Sequence, residues 1–344
     1  MKKVVAFGEI MLRLNPPGFF RFGQARSFDI AFGGGEANVC ASLANFGVAT
    51  DFVTRLPEND LGDACIAYLR SFGVGTAKII RGGKRIGIYF LENGAVQRGS
   101  KVLYDRDGSA IAEIKKGMID WEAAFADADW FHWTGITPAV SESLCEVCRE
   151  GIRKAKAMGL TVSCDLNYRA KLWKWGKKAG EVMPGLVALC DIAVGNEEDA
   201  EKVFGIRAPD ADVAAGRVEA EQYAAVAGGL QQAFPSLRMV AITLRGSLSA
   251  SRNTWSGILV DGGRLYTGPL FDITDIVDRV GGGDAFVGGL IYGLRTYGED
   301  RQKALDFAVA ASCLKHSVVG DFNMVTVEEA EKLAAGEASG RVSR

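Results

Sequence analysis

The residues best placed to do chemistry are Asp278-Arg279-Val280-Gly281-Gly282-Gly283-Asp284. Three successive glycines leave backbone N–H groups uncovered. A helix opening at Ala285 aims its own unpaired N–H groups and its positive dipole end the same way. Such a turn binds anions and suits phosphate. Asp284 is then a negative charge at the mouth of a site built for negative charge, and two readings fit it. It caps the helix, or it is a base that takes a proton from a hydroxyl while the glycine amides hold a phosphoryl group. A second glycine run, Gly33-Gly34-Gly35-Glu36-Ala37-Asn38, opens another helix. Its glycines let a ligand approach the backbone closely. Asn38, on the first turn, either touches a bound hydroxyl or faces solvent. The run lacks the G-x-G-x-x-G spacing of a dinucleotide site.

These residues need elements to hold them. Apolar and β-branched runs predict strands at 3–7, 28–32, 50–56, 130–135, 161–165, 192–194 and 239–244, and one over 271–280 leading into the glycines. Helices are expected at 60–72, 141–158, 285–297, 304–316 and 326–334, the second closed by Gly159. Two strands end in polar clusters: Asp165-Leu166-Asn167-Tyr168-Arg169, and Asn196-Glu197-Glu198-Asp199. Ligands of open α/β sheets bind outside such ends. The carboxylates of the second cluster either bind Mg²⁺ or compensate a helix dipole. Another strand ends in Thr243-Leu244-Arg245-Gly246. A hairpin interrupts the strand–helix rhythm. Residues 85–91 alternate, Asn93-Gly94 signals a type I′ turn, and 96–104 returns. Its Tyr89 and Tyr104, with Arg106, face a ligand or cover the sheet. Repeated βα units with one inserted hairpin predict a doubly wound, mostly parallel α/β sheet carrying a small β-rich lid, about residues 12–32 and 85–110. Residues 208–221 read as a surface excursion, and 336–344 as a polar tail.

Composition narrows the class. The chain has 344 residues, 48% of them hydrophobic, and a formal charge of −2. That charge gives no reason to expect nucleic acid or an acidic membrane as partner. No apolar run approaches the roughly 20 residues of a membrane span. The seven cysteines are scattered, and Cys145 and Cys148, the one C-x-x-C, read as an apolar helix face. With two histidines in the chain, zinc is not expected. A reducing cytoplasm fits.

With both glycine motifs in order, the chain resembles the ribokinase-like (PfkB) carbohydrate kinases over about residues 1–335. It departs from their pattern at Arg279, where a small residue is usual, and at Gly282, where alanine is commoner. The family's N-x-x-E element appears as Asn196 with Asp199. Within the family it is similar to the 2-keto-3-deoxygluconate kinases. The segments Gly8 to Leu14, Gly87 to Gly94, Tyr104 to Arg106, Asp165 to Arg169 and Leu314 to Asn323 carry that likeness. The resemblance implies sugar-acid contacts at Gly34, Tyr89, Tyr104, Arg106, Arg169 and Asp321, with Asn38 expected beside them from its place on the helix start. It implies nucleotide contacts at Asn196, Thr243, Arg245, Gly246, Gly281, Gly282 and Gly283, with Asp284 as base, and Asn167 is expected on the nucleotide side from its place at a strand end. Mg²⁺ would enter with ATP near Glu198 or Asp199, and K⁺ near Asp278. A homo-oligomer through the lid is expected.

A sugar acid brings a carboxylate, which a bidentate arginine answers; a neutral hexose would not need both Arg106 and Arg169. The expected reaction is transfer of the ATP γ-phosphoryl group to the C6 hydroxyl of 2-keto-3-deoxygluconate. The competing readings are a fructokinase or ribokinase of a neutral sugar and a non-catalytic sugar or nucleotide sensor, with a dehydrogenase further off.

Overall fold

The computed structural model describes residues 2–207 and 220–337. The expected excursion at 208–221 and the tail at 336–344 lie almost wholly outside the described residues. In chain order, the first elements are β1 (Lys3–Phe7), β2 (Met11–Asn15), β3 (Asp29–Gly33), α1 (Gly35–Asn45), β4 (Thr50–Val53), β5 (Arg55–Leu56), α2 (Asp60–Ser71) and β6 (Ile80–Arg81). Then come β7 (Ile88–Glu92), β8 (Lys101–Asp105), α3 (Trp121–Phe125), β9 (Ala128–Thr134), α4 (Thr137–Val140), α5 (Glu142–Ala157), β10 (Thr161–Asp165) and α6 (Ala179–Val187). The chain continues with β11 (Ile192–Asn196), α7 (Glu197–Phe204), α8 (Ala220–Ala233), β12 (Met239–Ser247), β13 (Asn253–Asp261), β14 (Arg264–Thr267) and β15 (Phe271–Ile273). It closes with α9 (Gly282–Thr296), α10 (Arg301–Lys315) and α11 (Val327–Ala334).

Nine strands form the main sheet, in the order β14-β13-β12-β11-β10-β9-β1-β4, with β15 beside β13. The pairs from β4 through β12 are parallel, and those that β13 makes are antiparallel. Alternation along β1 explains the layering. Val5 and Phe7 join the apolar cluster under α3, α5, α6 and α8, whereas Val4 joins the one under α1, α9 and α10. A sheet buried on both faces and wound by helices is what near-continuous apolar strands require.

A second sheet of four strands, β3-β2-β7-β8, stands beside this core. It occupies the segments expected to form a lid. The hairpin differs from expectation at its tip. The last register pair is Glu92 with Lys101, so residues 93–100 form a longer loop and Asn93-Gly94 is no two-residue turn. Arg98 explains this. It bonds back to Glu92 at 2.9 Å and bridges to Ala95, which stabilises a turn further out. The strand expected over 271–280 stops at Ile273, and the glycine helix starts at Gly282 rather than Ala285. Asp278 folds its own chain into a turn there by accepting from the Val280 N–H at 3.0 Å.

The two sheets are joined by buried charge. Arg13, on β2 of the lid, is fully buried and reaches into the main domain. Its guanidinium pairs with Asp278 at 2.5 Å and with Asp321 at 2.7 Å. Tyr89, on β7, donates to Asp321 at 2.6 Å. Lys315, at the end of α10, is also buried and donates to the Asp278 carbonyl at 3.4 Å and the Val318 carbonyl at 3.1 Å. Removing one member strands the charges that remain. Arg13→Ala should lower unfolding free energy by roughly 3–5 kcal/mol, measured by urea denaturation. A loss below about 1 kcal/mol, the range of an exposed pair, would show that the network does not hold the lid.

Candidate active site

Helix α9 is the element that positions Asp284, and small residues let it sit deep. A Cβ on Gly288 would lie 2.6 Å from the Ser42 Cβ of α1, so the two helices approach closely at that point. That approach carries Asn38, on α1, to Asp284. The Asn38 amide donates to the Asp284 carboxylate at 2.6 Å, and its carbonyl oxygen accepts from the Gly34 N–H at 3.1 Å. Asp284 therefore does not cap α9. The N-cap is Gly281, in the left-handed region with φ of 82°, where a Cβ would also collide with the Asp321 carbonyl. Ser312 of α10 holds the next turn by donating to the Gly282 carbonyl at 2.6 Å.

A cavity of about 410 Å³ opens between the carboxyl ends of the main strands and the lid sheet. Asp284 and Gly281, Gly282 and Gly283 line it, as do Gly34, Asn38, Tyr89, Tyr104, Arg169 and Asp321 from the expected sugar side. Asn167, Asn196, Thr243 and Arg245 line it from the expected nucleotide side. So do Asp165 and Asp199.

Four expected residues stand elsewhere. Arg106 is buried behind Tyr104, paired with Glu9, and is not in the cavity wall. Gly246 lies one residue beyond the wall, its N–H on the Thr254 hydroxyl at 3.2 Å. Glu198 is exposed and off the cavity, while Asp199 is buried and in it. Asp278 has Arg13 as counter-ion and accepts from the Gly320 N–H at 3.1 Å.

Burial raises the Asp284 carboxyl to about 6, against the opposing pull of the Asn38 hydrogen bond. Asp165 is pushed well above the usual carboxylate range by burial, with Asp199 and Asp284 adding to the effect. Asp199 is raised by burial, although it accepts from the Asn196 N–H at 3.1 Å and the Tyr168 N–H at 3.0 Å. Glu36 is raised to about 7 by burial. It accepts from the Thr134 N–H at 3.0 Å and the Thr137 hydroxyl at 2.5 Å, which fastens the start of α1 to the end of β9.

Sequence reasoning did not assign roles to Arg13, Glu36, Asp165, Ser312 or Lys315. A signal existed for Arg13, a charge between Leu12 and Leu14 in an apolar strand. The sequence gives no such signal for Ser312.

A half-buried carboxylate beside a glycine-lined helix start, in a cavity at the strand ends, is the equipment of a phosphotransferase. Residues 1–326 match the pfkB family of carbohydrate kinases, and the chain belongs to that family. It is similar to the 2-dehydro-3-deoxygluconokinase of Thermotoga maritima, whose crystal structure superposes with a TM-score of 0.92 at 49% identity, covering 98% of this chain and 100% of that one. It is also similar to the 2-dehydro-3-deoxygalactonokinase of Haloferax volcanii, with 32% identity over 98% of each chain. The fold is shared with an E. coli ribokinase II solved with ATP and Mg²⁺, at TM-score 0.78 and 18% identity, covering 98% of this chain and 100% of that one. Among the described residues, no helix is long and apolar enough to cross a membrane.

Proposed function

We propose that this chain transfers the γ-phosphoryl group of ATP to the C6 hydroxyl of 2-keto-3-deoxygluconate. The observation that carries the reading is the setting of Asp284. Its carboxylate faces the cavity beside the Gly281–Gly283 amides, is raised to about 6, and is held by a neutral amide. It is thus ionised at neutral pH yet more basic than an ordinary aspartate. Asp284 takes the hydroxyl proton as the sugar oxygen attacks phosphorus. The glycine amides and the helix start receive the charge on the moving group.

Arg169 supports a sugar-acid substrate. It lines the cavity at the end of β10, and no described carboxylate pairs with it. Its Nη1 donates to the Tyr168 carbonyl at 2.9 Å, and the rest of the guanidinium is left for a substrate carboxylate. Tyr89 and Tyr104, with ring centroids 6.2 Å apart, form the lid side of the same wall. The lid excludes water that would otherwise hydrolyse ATP. Arg106 serves here through Tyr104, its guanidinium carbon 5.6 Å from the ring centre.

Mg²⁺ entering with ATP screens the phosphates. Asp165 and Asp199 fit it, since both are buried in the cavity wall with raised carboxyl groups that a divalent cation would relieve. A reducing cytoplasm suits the seven unpaired thiols. The lid's exposed Ile30 and Leu103 favour a homo-oligomer through that sheet. A monomeric mass by light scattering at micromolar concentration would remove that part of the reading.

A coupled ADP-release assay tests the reaction, with 2-keto-3-deoxygluconate, its galactonate-derived epimer and fructose as substrates. Turnover of the sugar acids and not of fructose is expected. Faster turnover of fructose, or none of any sugar, would overturn the proposal. Asp284→Asn should lower kcat by at least about 100-fold while the protein stays folded, and near-normal turnover would remove Asp284 as the base.

A further inference from the structure

An arginine precedes the glycine turn, and the mechanism above does not use it. Three arginines line the cavity: Arg169, Arg245 and Arg279. None makes an ion pair with a described residue, whereas the buried Arg13 and Arg106 are each matched by carboxylates. Arg169 stands at the end of β10, beside Asp165. Arg245 and Arg279 stand on the other side, by the glycine turn and His316.

Arg279 is held in place on one side only. Its Nη2 donates to the Ser249 carbonyl at 3.2 Å and the Ala250 carbonyl at 2.5 Å. Its guanidinium makes no other hydrogen bond with a described residue, so the rest of the fork is left for the cavity it lines. The turn it grips is also where the lid tip lands. The Ala250 N–H donates to the Val96 carbonyl at 2.7 Å, and the Val96 N–H donates to the Ser251 hydroxyl at 3.2 Å. Val96 is held at a φ of 54°, a conformation that a β-branched residue adopts only under constraint.

Burial and the nearby Arg245 charge both lower the Arg279 pKa. Arg279 is half-buried and Arg245 exposed, and two like charges beside one cavity favour an anion between them. An anion of several charges, directed at the Gly281–Gly283 amides next door, fits that place. We propose that Arg279 contacts the phosphoryl group in transfer and ties that contact to the lid tip through the turn 249–251. The inference rests on the kinase reading above. As the sugar oxygen bonds to phosphorus, the bond to the ADP oxygen breaks. The hydroxyl proton goes to Asp284, and the free donors of Arg279 meet the charge growing on the equatorial and leaving oxygens.

The test uses the full chain with Mg²⁺. It measures kcat, ADP affinity, and affinity for ADP with tetrafluoroaluminate in the presence of 2-keto-3-deoxygluconate. Arg279→Ala should lower kcat by about 100-fold or more, weaken tetrafluoroaluminate binding by a similar factor, and leave ADP affinity within about threefold. A kcat within about threefold of the unaltered protein overturns the inference. So does an equal loss of kcat and ADP affinity, which marks a ground-state contact. If Arg279→Ala does not fold, Arg279→Lys decides. It keeps the charge and loses the fork, so kcat should fall about tenfold, and an unchanged rate overturns the inference. Unaltered protein that releases no ADP with any sugar defeats the kinase reading itself, which is a separate result.

Discussion

Everything at the site is referred to one buried ionic contact, the Arg13 guanidinium between Asp278 and Asp321. Taking such charges out of water costs several kcal/mol for each ion, which pairing must offset. Here two carboxylates meet two buried cations, Arg13 and Lys315. Burial alone would lower the Arg13 pKa, but the Asp321 and Asp278 charges outweigh it and the net shift is upward. The contact has a geometric consequence. Arg13 belongs to the lid sheet, while Asp278 and Asp321 flank the turn that carries the glycines. Asp321 lies against Gly33 of β3 on one side and Gly281 on the other. The lid, the turn and the cavity wall are therefore set by the same few atoms.

Charge matching elsewhere is what singles out Asp284. Asp278 and Asp321 have cations on them, whereas Asp284 has the neutral amide of Asn38. Burial without a paired cation raises a carboxyl group. A carboxylate raised to about 6 is suited to receive a proton near neutral pH. The close approach of α9 to α1 at Gly288 fixes the distance between amide and carboxylate. Packing of the helices and protonation of Asp284 are thus parts of one arrangement. The same physics leaves Arg169, Arg245 and Arg279 in the cavity without an ion pair among the described residues.

Much of this was legible in the sequence. Strand Thr161–Asp165 and helix Glu142–Ala157 stand within a residue of where apolar runs and the Gly159 stop placed them. The two glycine runs pointed to the cavity and to Asp284, because glycine before a helix has few other uses. Other features were not legible. The partners of Arg13 lie 265 and 308 residues away, so nothing local announces the network. The partner of Arg106, Glu9, lies 97 residues away, so no local signal announces their pairing. Asn93-Gly94 carried a strong local turn signal that Arg98 overrode by pairing with Glu92. Local chemistry was read well, and distant pairing decided the rest.

The central claim is that Asp284 acts as a base whose affinity for the proton is set by its burial and by Asn38. The pH dependence of kcat/KM for the sugar acid reports it most directly, since that ratio follows the free enzyme. An acid limb near pH 6 is expected. It should move upward in Asn38→Ala, because the lost hydrogen bond had favoured the ionised form. A limb at the ordinary carboxylate value of about 4, unmoved by that substitution, would contradict the account.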